Sequence, residues 1–176
     1  MANRDALRAF QSRLASRLQA ARTSGVSASW LAVEAGDAKY LFPLGHAGEI
    51  FPWNPPQPVP YVQPWFLGVA NLRGGVYGIV QLSAFATGQA APPANEATRA
   101  QSRLVALNEM LEVNCALLID RLVGLRGVEA FTASQAPDDG APAWLGHAYT
   151  DAAGERWQEI NLQALSQQPQ FLSIGA

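Results

Sequence analysis

A chain of 176 residues, 49% of them apolar, has room for one domain, or one domain of two closely packed lobes, with a core that needs no metal or disulfide staple. The formal net charge of −2 weakens the case for a dedicated nucleic-acid binder, whose phosphate contacts need a basic face, and Cys115, the single cysteine, excludes an intrachain disulfide and suits a reducing compartment. No apolar run approaches the roughly 20 residues that span a bilayer and no secretory pattern opens the chain, so the expectation is a cytoplasmic protein without nucleic-acid binding or direct membrane insertion.

Arg4 to Arg22 reads as a helix, with Leu7, Phe10, Leu14 and Leu18 at helical spacing and Arg8, Arg13 and Arg17 largely off that stripe. Asp5 in its first turn and Arg22 in its last suit the helix dipole, and TSGVSAS ends it with breaker residues. A partner-binding or membrane-surface helix is one reading. The stripe lacks the aromatic and lysine richness of an interfacial helix, so a helix packed on its own domain is favoured.

From Trp30 the pattern turns to β. WLAVEA, then GD, then AKYLFPL predicts a hairpin turning at Gly36-Asp37. EIFPWNPPQPVPYVQPWF holds six prolines from Pro52 to Pro64, which exclude a central strand because proline cannot donate to a ladder. It is expected to be an extended connector anchored by Trp53 and Trp65, a reading favoured over a polyproline ligand for another domain. VYGIVQLSAF is expected to be a strand and ATGQAAPPANEATRAQS an exposed loop. RLVALNEM and NCALLIDRLVGL read as two β runs separated by a turn around Leu111-Glu112, and TASQAPDDGAPAW as another loop. LGHAYTDAAGERWQEI predicts a hairpin closed by Asp151 to Gly154, and NLQALSQQPQFL a terminal helix capped by Asn161. Short strands with close turn signals and only terminal helices indicate antiparallel barrels rather than a βαβ sheet.

Constellations that carry chemistry are sparse. His46 and His147 have no Cys or His at ligand spacing, and Cys115 lies in the apolar run CALLI, where a thiol is inert. Asp138-Asp139 beside Pro137 fit a turn, and DAAGE is too short for a calcium loop. The glycines of RGGVYG lead into a strand, not a helix, so they complete no phosphate-binding pattern. The tryptophans are scattered, and the arginines collect in the leading helix instead of interleaving with them. A barrel binding a small ligand or single-stranded nucleic acid is therefore the weaker alternative. A non-enzyme without cofactor or metal is expected.

One segment stands apart: GVANLRGGVYGIVQL, Gly68 to Leu82. Gly74 and Gly75 allow a sharp reversal, Asn71 can tie its amide to nearby backbone, and an extended run follows with Val76, Gly78, Val80 and Leu82 on one face. Arg73 then projects from an ordered turn, where a guanidinium loses little freedom on docking; a locally paired or solvated arginine is the plainer alternative.

The wider stretch VPYVQPWFLGVANLRGGVYGIVQL resembles the core motif of the CheW family, the scaffold proteins of bacterial chemosensory arrays. Gly68, Asn71, Arg73, Gly74, Val76 and Leu82 fall on its pattern of Gly-x-x-Asn-x-Arg-Gly followed by a strand. AGEIF from Ala47 is similar to the family's Val-x-Glu-Ile segment, AFATG to the Phe and Gly after the main strand, ALLIDRLVGL to a later strand, and INLQAL to the closing signature. Gly78 stands where the family usually has proline and Gln81 where it has Asp or Asn. With the leading helix and the Trp-rich C-terminal hairpin, the chain looks most like the CheW-like adaptor of type IV pilus, or twitching-motility, systems.

The resemblance implies a mainly β fold of two five-stranded, SH3-like β-barrels sharing a core, with an N-terminal and a short C-terminal helix. It divides the chain into an N-terminal helix and linker over 1–28 and a CheW-like domain of two intertwined lobes over 29–176. It also implies a non-enzymatic scaffold, recruited to membrane-associated arrays, that couples the cytoplasmic tip of a methyl-accepting chemoreceptor to the regulatory domain of a CheA-type histidine kinase. Carried onto this sequence, Arg73, Gly68, Asn71 and Gly74 fall on the receptor-facing or array-facing motif, Glu49 and Ala47 on the segment beside it, and Leu122 on the later strand.

Overall fold

The computed structural model describes residues 4–13, 28–90, 94–173 and 175. Strands β1 (Ala28–Ala35) and β2 (Ala38–Pro43) form the expected hairpin, with Gly36 in the left-handed position at φ 60°. The middle of the chain supplies β3 (Ala47–Pro52), β4 (Phe66–Leu72), β5 (Gly75–Gln81), β6 (Arg103–Leu107) and β7 (Cys115–Ile119), a five-stranded sheet in the order β3-β6-β7-β5-β4. The later strands β8 (Arg121–Gly127), β9 (Phe131–Gln135), β10 (Leu145–Asp151) and β11 (Arg156–Ile160) join the first hairpin in a six-stranded sheet, β8-β1-β2-β11-β10-β9. Pairing is antiparallel except for β5 with β7 and β11 with β2. The β11–β2 contact brings the two ends of the domain into one lobe around the other.

Strands β6 and β7 are buried on both faces, which explains their unbroken apolar sequences. Leu104, Ala106, Ala116 and Leu118 face the core of the five-stranded lobe with Phe51, Leu72 and Ile79. Their alternates Val105, Leu107, Cys115, Leu117 and Ile119 face a larger core shared with Leu31, Val33, Tyr40 and Phe42 of the other sheet. Each such side chain contributes roughly 1.5–3 kcal/mol of burial free energy, so the two lobes stabilise each other. Trp65 stacks on Phe171 with ring centroids 6.1 Å apart and meets Phe85 edge-on at 5.0 Å, fastening the proline-rich connector to the shared core. The six-stranded lobe has its own core of Trp30, Ala32, Leu41 and Trp157.

The mainly β class, the two lobes and the helices at both ends agree with expectation; one lobe has six strands where five were expected, and several local readings also differ. The strand expected to run through Phe85 stops at Gln81, and helix α2 (Leu82–Thr87) follows, burying Leu82, Ala84 and Phe85 before Gly88 ends it at φ 73°. Within the expected loop lies helix α3 (Glu96–Gln101), started by the Asn95 side chain accepting the Thr98 N–H at 2.7 Å. The single run expected across Asp120 is two strands, β7 and β8, because the chain leaves one sheet for the other at that residue. Phe131–Gln135 is a strand, not loop, paired with β10. Glu49 to Pro52 is strand too: β3 is an edge, the place in a sheet where proline is tolerated. Asn161 caps α4 (Leu162–Gln167) as expected, its side chain accepting the Ala164 N–H at 3.0 Å, and Pro169 begins a separate turn of helix, α5 (Pro169–Leu172).

Of the helix expected over 4–22, residues 4–13 are helical (α1), and residues 14–22 lie outside the described residues. The favoured packing on its own domain is not what residues 4–13 show. Every one of them is exposed, including Leu7 and Phe10.

Candidate functional site

The hairpin joining β4 and β5 carries the site. Leu72 pairs with Gly75, so its loop has two residues, Arg73 at φ 51° and Gly74 at φ 80°. Two successive left-handed residues are the mark of a type I′ turn, whose twist matches the flanking strands. The reversal thus centres one residue before the Gly74-Gly75 pair that the sequence suggested. The Asn71 side chain accepts the Gly74 N–H at 3.0 Å, and the Asn71 carbonyl accepts from the Asn54 amide at 3.2 Å. Both contacts stiffen the tip.

Placing arginine rather than glycine in a left-handed position costs roughly 1–2 kcal/mol. Arg73 is 76% exposed and forms an ion pair through Nη1 with Glu49 Oε1. A pair so open to solvent contributes at most about 1 kcal/mol. Stability therefore does not account for the arginine; its geometry does. Glu49 belongs to β3 and Arg73 to the turn that follows β4; β3 and β4 are the two edges of the five-stranded sheet, so the pair ties those edges together at the surface.

The other residues picked from sequence fall elsewhere. Gly68 is buried at φ 134°, and a Cβ there would meet the Gln57 carbonyl oxygen at 2.0 Å. It makes room for the connector, which bridges β4 through Gln57 N–H to Val69 O at 2.7 Å and Val69 N–H to Gln57 O at 3.0 Å. Ala47 sits on β3 opposite Leu107, half-buried against the shared core. Leu122 is half-buried on β8 opposite Val33, in the other sheet. Arg73, Asn71, Gly74 and Glu49 thus form one cluster, while Gly68, Ala47 and Leu122 support it from within or lie apart.

A groove of about 320 Å³ adjoins the cluster, lined by Gly48, Glu49, Tyr77, Asn108, Glu109 and Met110 among others. Met110 rides on a 3-10 turn, Glu109–Leu111, that Asn108 begins by accepting the Met110 N–H at 2.9 Å. Sequence reasoning passed over Met110; the available signal was Asn108, a capping residue type just ahead of the expected turn around Leu111-Glu112.

Reactive groups are not gathered in this way. Burial pushes the Cys115 thiol up to about 12, far from a nucleophile's range. An open groove of about 710 Å³, lined by Asp37, Lys39, Tyr40, Trp144, Glu155 and Arg156 among others, holds no His, Cys or Ser. Among the described residues no three His, Cys, Asp or Glu side chains are placed to hold a metal, and no helix is long and apolar enough to cross a membrane. One ionic cluster is structural: Glu34 accepts from Arg121 Nε at 2.8 Å and Nη2 at 3.0 Å and from Lys39 Nζ at 2.7 Å. These bonds lower its carboxyl to about 2, the arginine contributing most.

Two interlocked β lobes with a shared core, presenting an arginine on a stiff hairpin, have the architecture of a docking scaffold. Residues 29–170 match the model of the CheW-like domain, and the chain belongs to that family of scaffolds and adaptors. It is 27% identical to the protein PilI of Pseudomonas aeruginosa over 165 residues, covering 93% of this chain and 89% of that one. A shorter match, 38% identical over 63 residues, is to the chemotaxis protein CheW of Rhizobium meliloti, covering 36% of this chain and 41% of that one. In fold the chain is similar to the scaffolding protein TtCheW of Thermoanaerobacter tengcongensis, with a TM-score of 0.60 and 13% identity over 76% of this chain and 88% of that one.

Proposed function

We propose that this protein is a non-enzymatic signal-transduction scaffold that couples a chemoreceptor to a CheA-type histidine kinase, in control of type IV pilus twitching motility. Family membership over residues 29–170 supports the coupling role, and similarity to PilI along nearly the whole chain supports the pilus system over the flagellar one. The observation that carries the reading is Arg73: a charged residue in a strained turn, ion-paired to Glu49, that stability alone does not explain. The kinase's regulatory domain and the receptor tip are the partners, and coupling is positional. A receptor movement alters kinase activity because the scaffold holds both in register. In this role Arg73, Asn71, Gly74 and Glu49 form the contact surface, Gly68 and Ala47 hold its strands in place, and Leu122 serves a separate contact on the six-stranded lobe.

The test is reconstitution with a cognate receptor fragment and kinase. Arg73→Ala is expected to leave the fold intact by circular dichroism and to weaken receptor-dependent kinase control at least about tenfold, as loss of an interface hot spot does. A folded variant that couples like the parent would refute the role of Arg73. The alternative of a nucleic-acid barrel finds little support in charge, since residues 29–176 carry seven basic and thirteen acidic groups.

A further inference from the structure

Charge is divided unevenly along the chain. Residues 1–28 hold five arginines against the single acid Asp5, whereas residues 29–176 are net −6. In helix α1, Leu7 and Phe10 share one face, exposed at 55% and 61%. At about 100° per residue, Arg4 flanks that face on one side and Arg13 on the other, while Arg8 lies farther round towards Asp5, which is opposite. Among the described residues none of these arginines is in an ion pair.

The domain carries a surface of matching character. Met110 is exposed at 85% on its 3-10 turn, with Glu109 beside it and Glu112 following in the left-handed conformation at φ 58°. Neither glutamate is in an ion pair among the described residues. A flexible thioether between unpaired carboxylates, at the edge of a groove lined by Tyr77, suits a cationic apolar helix.

We propose that helix α1 of one copy docks its Leu7–Phe10 face on the Met110 turn of a second copy, with Arg4 and Arg13 meeting Glu109 and Glu112. Donor and acceptor are different surfaces of one chain, so the contact is head-to-tail and each copy can pass it on to the next. A second copy is favoured over lipid because the carboxylates that complement the arginines are present on this chain, and an anionic bilayer would repel a domain of net charge −6. The contact does not use Arg73, so it adds cohesion between scaffold molecules to the coupling proposed above and stands or falls separately.

Sedimentation velocity of the full chain over a concentration series tests this. At low salt, species larger than a dimer are expected to grow with concentration, and association should weaken at least about tenfold at high salt. L7E/F10E, which lacks a competent helix, and M110E, which lacks a competent turn, should each stay monomeric with unchanged circular dichroism. Mixed in equal amounts they should form a one-to-one complex and nothing larger, since one intact helix then meets one intact turn. Arg73→Ala should associate like the parent. A full chain that is monomeric throughout, variants that associate like the parent, or a mixture that forms no complex would overturn the proposal. So would a monomeric chain that co-sediments with phosphatidylglycerol vesicles but not with phosphatidylcholine vesicles, an outcome that assigns the helix to lipid.

Discussion

The molecule's two tight hairpins, Gly36-Asp37 between β1 and β2 and Arg73-Gly74 between β4 and β5, reverse the chain in the same two residues but in opposite surroundings. The first is tied inward. Gly36 donates its N–H to Asp120 at 2.7 Å, a Cβ on it would come within 3.1 Å of the Ser83 side chain, and the Glu34–Lys39–Arg121 cluster closes the strands behind it. The second stands free at its tip. Nothing lies within 4 Å of a Cβ on Gly74, and the turn places an exposed arginine where a glycine would be easier to accommodate. One hairpin is thus specified by what surrounds it and the other by what it displays. In the second hairpin no packing neighbour demands the strained arginine, which fits the docking role proposed for Arg73.

The free hairpin is held at its base, and the largest expected effect lies there. Gly68→Ala drives a Cβ into the Gln57 carbonyl at a φ of 134° that alanine resists. We expect a loss of about 3 kcal/mol or more in chemical denaturation, with the connector displaced from β4. A loss below about 1 kcal/mol would mean that the connector yields easily and that the tip is not fixed from its base.

Glu34→Gln attacks the inward hairpin next. The folded carboxyl titrates near 2 instead of 4.5, so its contribution is complete above about pH 4.5 and disappears as the pH falls towards 2. The substitution should cost about 1–2 kcal/mol at neutral pH and flatten the acid limb of the stability curve within that window. Acid limbs of equal slope in parent and variant would remove this cluster from the account. A smaller difference separates the turn glycines. Gly74→Ala meets only the left-handed penalty, about 1 kcal/mol, whereas Gly36→Ala meets that penalty and Ser83 as well, and should be the more destabilised of the two by thermal unfolding.

Much of this contrast was legible in the sequence, because hairpin signals are local. Gly36-Asp37, Asp151 to Gly154 and the Asn161 cap need only neighbouring residues, and each is found where it was expected. The arginine turn was located, but its centre was misplaced by one residue, since alternation cannot show which residue adopts a positive φ. What escaped depends on distant packing. VYGIVQLSAF and NCALLIDRLVGL read as single strands because apolar runs look alike in strand and helix and on either side of a sheet crossing. Glu49 was picked through its motif, but its pairing with Arg73 joins opposite sheet edges, which no spacing reveals. Gly68 was read as part of a contact surface, and the connector passing over it gives it a packing role that sequence order alone could not supply. Met110 was missed because an exposed methionine leaves no periodic trace.

Arg73→Gly gives the smallest effect on stability and the sharpest comparison between the hairpins. Glycine at φ 51° relieves the left-handed strain by about 1 kcal/mol, but it makes the unfolded chain more flexible by a similar amount and removes an ion pair that contributes at most about 1 kcal/mol. These terms nearly cancel, so the unfolding free energy should stay within about 1 kcal/mol of the parent. The same variant should lose receptor-dependent kinase control as fully as Arg73→Ala does, while Arg73→Lys, which keeps the charge but loses the planar fork, should fall between. If Arg73→Gly were destabilised by more than about 2 kcal/mol, the arginine would be holding the lobe together as Glu34 holds the other, and the difference between the hairpins would be one of degree. If it stayed stable and uncoupled, the free hairpin would be a display element whose side chain serves a partner rather than the fold.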